Sequence, residues 1–137
     1  MDDLDREILG LLRRDARTPY TEIAEQVGTS EGTVRNRVER LVEDGVIERF
    51  TVATRTGNVR AMVELDVDVN VRTRELSARV VEWDPVDFVW QVSGEADVVL
   101  VVDVADTTSL NALIQRARDL DEVVSTKTRL ILDERIA

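Results

Sequence analysis

The chain contains no cysteine and no histidine, and only one of its 18 basic residues, Lys127, is a lysine. Without cysteine there are no disulfides and no thiol nucleophile. Without histidine as well, the usual zinc sites and imidazole acid–base chemistry are also missing. A hydrolase or metalloenzyme would have to work with carboxylates alone, so the composition argues against an enzyme and implies neither metal nor cofactor. No apolar run approaches the roughly 20 residues that cross a bilayer. The start, Met1-Asp2-Asp3, is acidic where a secretory leader would be basic. The expected location is the cytoplasm, away from membranes.

What is present is a chain of 137 residues, 43% hydrophobic and 34% charged, with net charge −10. That length allows one ordinary domain or two small ones, and two small ones would gain from self-association. Divided at Asn58, the first part carries 9 basic and 12 acidic residues and the second 9 and 16. Acid is therefore concentrated in the second part. The excess of aspartate and the near-absence of lysine suggest a high-salt cytoplasm, such as that of a halophilic archaeon, where screening shortens self-repulsion.

Leu4, Ile8, Leu11 and Leu12 follow helical spacing and predict a first helix ending near Asp15. Thr18-Pro19 reads as the cap and first turn of a second helix, with Ile23, Ala24 and Val27 inward and Gly28 as its stop. Ser30 is the natural N-cap of a third helix, whose inward stripe is Val34, Val38, Leu41 and Val42. Gly45 ends it, and Val46-Ile47 begins an extended segment through Phe50 and Val52. Two short helices joined at a glycine, the second bearing outward arginines, describe a helix-turn-helix.

The polar stretch near Gly57-Asn58 marks a boundary. The expected division is a DNA-binding domain over 1–50, a linker over 51–58 and a second domain over 59–137. From Val59 to Val71 every second residue is apolar, alternating with Arg60, Met62, Glu64, Asp66, Asp68 and Asn70, which predicts a strand. Leu76, Val80 and Trp83 predict a short helix halted at Asp84-Pro85. Asp87–Ser93 reads as a strand with Phe88, Trp90 and Val92 on one face. Gly94–Asp97 connects it to the apolar strand Val98–Val104. A helix opened by Asp106-Thr107-Thr108 and a strand over Glu122–Asp133 complete a β-α-β-β-α-β order. The expected fold class is α+β: an N-terminal helix-turn-helix (winged-helix-like) domain and a C-terminal ferredoxin-like βαββαβ domain. Two helices cover only one sheet face, so the other, carrying Met62 or its alternates, is expected to meet a second copy.

On the third helix the outward candidates are Gly32, Thr33, Arg35, Asn36, Arg37 and Arg40, with Ser30 at its start. Arginine can engage guanine, asparagine adenine and threonine a thymine methyl. Gly32 lets the helix start approach a phosphate, and Ser30 can donate to one. The plainer alternative is a solvated helix with i, i+4 ion pairs such as Arg35 with Glu39.

Several motifs together resemble the leucine-responsive regulator/AsnC family: Leu4-Asp5-x-x-Ile8-Leu9, Asp15-Ala16-Arg17, Glu22-Ile23-Ala24, Val27-Gly28-x-Ser30, Val34-x-x-Arg37-Val38-x-x-Leu41 and Gly45-Val46-Ile47. Gly94-x-x-Asp97 and the Thr126-x-Thr128 segment are similar to that family's ligand-sensing module, so the resemblance spans nearly the whole chain. It implies a regulator of transcription that binds double-stranded DNA, dimerises through its second domain, assembles further, and takes an amino acid or related metabolite between dimers. By position, the resemblance places Ser93, Gly94, Glu95 and Asp97 at the effector site, with Thr126 and Thr128 as further candidates. Gly94 would free backbone N–H groups for a carboxylate and Asp97 would hold an ammonium group. The alternatives are a tight connection for Gly94, a turn cap for Asp97 and ordinary strand threonines. Two departures stand out. The Phe50–Asn58 segment is several residues shorter than the family usually has, and Val98 stands where an aromatic is frequent.

Two other functions are compatible with the same plan. Siroheme decarboxylases share it, but the resemblance implies histidines around a tetrapyrrole, which this chain lacks. A metabolite sensor without DNA binding is the other. The expected mechanism places paired recognition helices in successive major grooves about 10 base pairs apart, with a metabolite shifting the assembly state.

Overall fold

The computed structural model describes residues 1–56 and 58–136. Gly57 of the expected turn and Ala137 at the end of the expected second domain lie outside the described residues. The chain divides into two compact units, Met1–Thr54 and Arg55–Ile136.

The first unit is built from α1 (Asp3–Arg14), α2 (Tyr20–Val27) and α3 (Glu31–Glu43). Ile8 and Leu12 of α1, Ile23 and Ala24 of α2, and Val34 and Val38 of α3 meet in one core, with Leu4, Leu11, Tyr20, Val27 and Ile47 at its edge. Helix α1 starts on a reciprocal cap: the Asp2 carboxylate accepts the Asp5 N–H and the Asp5 carboxylate accepts the Asp2 N–H, each at 2.9 Å. The α2–α3 connection follows from two local choices. Gly28 adopts φ +71°, the left-handed stop that an L side chain resists, and Ser30 Oγ then accepts the Thr33 N–H at 3.2 Å.

Three expectations for this unit are corrected. Thr18 does not cap α2: its hydroxyl donates to the Asp15 carbonyl at 2.8 Å, closing a turn, and Pro19 takes the cap position. Val42 is not inward, being 45% exposed one position past Leu41. Val46-Ile47 does not start a strand. With Gly45 at φ +71°, both amides turn back onto the Leu41 carbonyl at 2.9 Å and satisfy the end of α3. Residues 48–56 pair with no strand.

The second unit has β1 (Val59–Val67), α4 (Thr73–Val80), β2 (Val86–Gln91), β3 (Val98–Val104), α5 (Thr107–Arg118) and β4 (Val123–Leu130). The sheet order is β2-β3-β1-β4, with every neighbouring pair antiparallel. This is the split βαββαβ arrangement. Ala61, Val63 and Leu65 alternate inward from β1 and meet Val98, Leu100 and Val102 of β3, Leu76 and Val80 of α4, and Leu110, Leu113 and Ala117 of α5. Asp106 caps α5 by accepting the Ser109 N–H at 2.7 Å, which holds its carboxyl below the usual range.

Strand β1 ends at Val67 rather than Val71. Asp68 folds the chain over by accepting the Asn70 N–H on its carboxylate and the Val71 N–H on its carbonyl, which leaves Val69 in solvent. Trp83 lies beyond α4, its ring capped by the Arg116 guanidinium 4.1 Å from the centroid.

Candidate nucleic-acid interface and effector region

Helix α3 buries Val34, Val38 and Leu41 and therefore turns the opposite side outward. Gly32, Asn36 and Arg40 repeat every four residues along that outward side, and all are exposed. Glu39 and Glu43 lie among them, also exposed. Ser30 and Thr33 sit at the helix start, their hydroxyls 2.8 Å apart. Arg35 occupies the flank towards α2, paired with Glu31 and lying 5.4 Å from the Tyr20 ring centroid. Its ion partner thus lies one turn before it in the chain, whereas Glu39, the partner expected, lies one turn after.

Arg37 differs most from expectation. It stands on the flank towards α1, not on the outward side, and its side chain is only 26% exposed. Its guanidinium bonds the Asp2 carboxylate and, at 3.1 Å, Asp5 Oδ1. Arg40 also reaches Asp5, at 3.3 Å to Oδ2, while staying half exposed. The Asp5 carboxyl is buried at 1% exposure. The Asp2 N–H, and after it Arg37, hold the Asp5 carboxyl below its ordinary range. The Asp5 N–H, with Arg37, lowers Asp2 to about 2. Neither aspartate was among the expected site residues. Asp2-x-x-Asp5 is readable as a cap, but its partners lie 32 to 35 residues further on.

In the second unit, Ser93, Gly94 and Glu95 are exposed on the β2–β3 connection. Gly94 has φ +116°, while nothing lies within 4 Å of where a Cβ would stand. Backbone conformation, not crowding, is what calls for glycine there. Asp97 is half-buried and accepts the Val67 N–H on Oδ2 at 3.0 Å, while its own N–H donates to the Leu65 carbonyl. Thr126 pairs with Leu65 and Thr128 with Val63 on the opposite side of β1. The six candidates thus reach the same half of the sheet but are divided by β1. Thr126 Oγ1 accepts from Arg118 Nε at 3.1 Å, tying it to α5. A hollow of about 630 Å³ lined by Asn70, Arg72, Glu75, Arg79 and Glu122 contains none of the six.

The sheet face turned away from the helices carries Met62, Val99, Val101, Phe88 and Trp90, in cross-strand register. Phe88 and Trp90 stack at 6.2 Å, and each is nearly half exposed. Charge surrounds them: Arg60 bridges Asp87 and Glu134, and Arg129 meets Glu64 at 3.5 Å.

The model of the AsnC-type helix-turn-helix domain matches residues 1–42, and that of the Lrp/AsnC ligand binding domain matches residues 60–136. The chain belongs to the Lrp/AsnC family. It is a helix-turn-helix regulator of transcription coupled to a ligand-binding domain. It is 38% identical to the HTH-type transcriptional regulator LysM of Sulfurisphaera tokodaii, over 96% of this chain and 95% of that protein. LysM of Saccharolobus solfataricus is 35% identical over 96% and 94%. Among solved structures, the leucine response regulatory protein LrpA of Mycobacterium tuberculosis superposes with TM-score 0.85 at 28% identity, covering 100% of this chain and 96% of that one. AsnC of E. coli superposes with TM-score 0.78 at 25% identity, covering 100% and 95%.

Proposed function

We propose that this Lrp/AsnC protein reads its operators with the outward side of α3. Asn36 and Arg40 would meet base edges, Gly32 would allow close approach, and Ser30, Thr33 and Arg35 would contact the flanking backbone. The observation that carries this reading is the helical repeat of Gly32, Asn36 and Arg40 opposite the buried stripe Val34, Val38 and Leu41. The apolar sheet face around Met62, Phe88 and Trp90 would join two copies, supplying the two readers that a two-fold operator needs. An amino acid or related metabolite would be received at Ser93–Asp97, with its carboxylate on amides freed by Gly94, in a site completed by further copies. Thr126 and Thr128 belong to this proposal only as residues across β1.

The protein would act in the cytoplasm, without catalysis. Its acidic balance is suited to a high-salt interior, where phosphate attraction is screened and base contacts carry more of the discrimination. Titration of the full chain against its own upstream region, at matched salt, tests the reading. Arg40→Ala should weaken binding by about 1–3 kcal/mol and relax specificity at the base pair it meets, and unchanged binding would remove α3 from the interface.

A further inference from the structure

The cluster around Asp5 has a role that the reading of α3 alone does not supply. Asp5 Oδ2 accepts the Asp2 N–H at 2.9 Å and faces Arg40 Nη2 at 3.3 Å, while Oδ1 faces Arg37 Nη1 at 3.1 Å. A carboxylate this buried needs cationic partners, because removing them leaves an uncompensated charge out of water. Arg37 can therefore leave for a phosphate only by giving up Asp2 and passing Asp5 to Arg40 alone. Asp2, still 54% exposed, binds the same guanidinium from the solvent side. Arg40 differs: its link to Asp5 is longer, and half its surface stays open.

We infer that Asp2 and Asp5 form a charge clamp that withholds Arg37 from DNA phosphates, lowering sequence-independent attraction so that Asn36 and Arg40 decide where the protein binds. This rests on the proposed DNA-reading role of α3. It makes Arg37 and the two aspartates positioning residues. The clamp sits at the start of α1, where two carboxylates also complement the helix dipole, so helix capping and charge control share the same groups.

The number of phosphates engaged is read from the salt dependence of binding, about 0.9 in the log–log slope per contact. The test titrates the full chain against its own upstream fragment and a scrambled fragment of equal length over a series of KCl concentrations. Arg37→Gln should leave the slope unchanged, while Arg35→Gln, at a residue proposed to meet the flanking backbone, should reduce it by about 0.9. Asp2→Asn keeps a competent N-cap but removes one of Arg37's two anions. It should steepen the slope on scrambled DNA and reduce the preference for the upstream fragment several-fold. Glu7→Gln, an equal charge change elsewhere on α1, should do neither.

The clamp is overturned if Arg37→Gln flattens the slope as Arg35→Gln does, if Asp2→Asn matches the wild type, or if Glu7→Gln reproduces Asp2→Asn. Failure of the wild type to bind either fragment would overturn the DNA-reading role and the clamp together, and the wild-type titration alone would reveal it.

Discussion

The Asp97 carboxylate accepts the Val67 amide at 3.0 Å, and Val67 is the residue at which the register between β1 and β4 shifts. The bond therefore carries the β1–β3 contact past its last regular pair, Leu65 with Val98, while the other side of β1 shifts register. Asp97→Ala should destabilise the second unit by about 1–3 kcal/mol by leaving that amide without a partner. Asp97→Asn keeps an oxygen for the amide while losing the charge, so its denaturant midpoint should stay close to wild type. If Asp97 also holds an ammonium group, Asp97→Asn will lose any amino-acid response while keeping its stability. Urea unfolding of both variants, beside effector titrations, separates the two roles.

Gly94 supports a second prediction. Because its φ of +116° is disfavoured by any side chain, Gly94→Ala should cost about 1–3 kcal/mol even though the space for a methyl group is open. Thermal unfolding checks this, and an unchanged midpoint would mean that the connection can relax to another conformation.

Much of the second unit was legible because its residues repeat. Alternation from Val59 to Val67 and the apolar run Val98–Val104 leave little choice of strand, and Asp106 marks the start of α5 through a bond four residues wide. Where the alternation continued past Val67, the Asp68 turn overrode it, because one carboxylate bond to the Asn70 amide outweighs periodicity at a chain bend. Similarly, Val46-Ile47 reads as β-rich in composition but is used to cap α3. The side of α3 occupied by Arg37 could not be read from the helix itself. Its angle places it near the edge of the buried stripe, and only the folding of α1 against α3 supplies the aspartates that turn it away from solvent.

Acid should weaken that contact. Both Asp2 and Asp5 titrate below their ordinary values, so their stabilisation is fully present above about pH 4, the unfolded carboxyl range, and is lost as pH falls through the folded values, about 2 for Asp2. Asp2→Asn should therefore flatten the acid limb of the helical signal between about pH 4 and 2. Circular dichroism across that range is the measurement, and an acid limb identical to wild type would remove Asp2 from the cluster's energetics.

Trp83 tests the packing of the second unit. With its ring 9% exposed and covered by Arg116, Trp83→Ala should cost about 3–5 kcal/mol. Arg116→Ala should remove only the cation–π contribution, about 0.5–2 kcal/mol. Denaturant midpoints order the two.

On the open sheet face, Trp90→Glu sets a charge among Phe88, Met62 and Val99, where a second copy is proposed to pack. Sedimentation velocity should find the variant at the 15.5 kDa of one chain and the wild type at a multiple of it. A wild type that sediments as a single chain would remove the paired readers.

The most direct test of α3 as the reading element is base-resolved. Operator duplexes carrying each single base-pair change are titrated with wild type and with Asn36→Ala at one salt concentration. Asn36→Ala is predicted to lose about 1–3 kcal/mol of discrimination at one base pair in each half-site and to keep the wild-type preferences at all others. Preferences identical to wild type at every position, or a uniform loss at all of them, would contradict it.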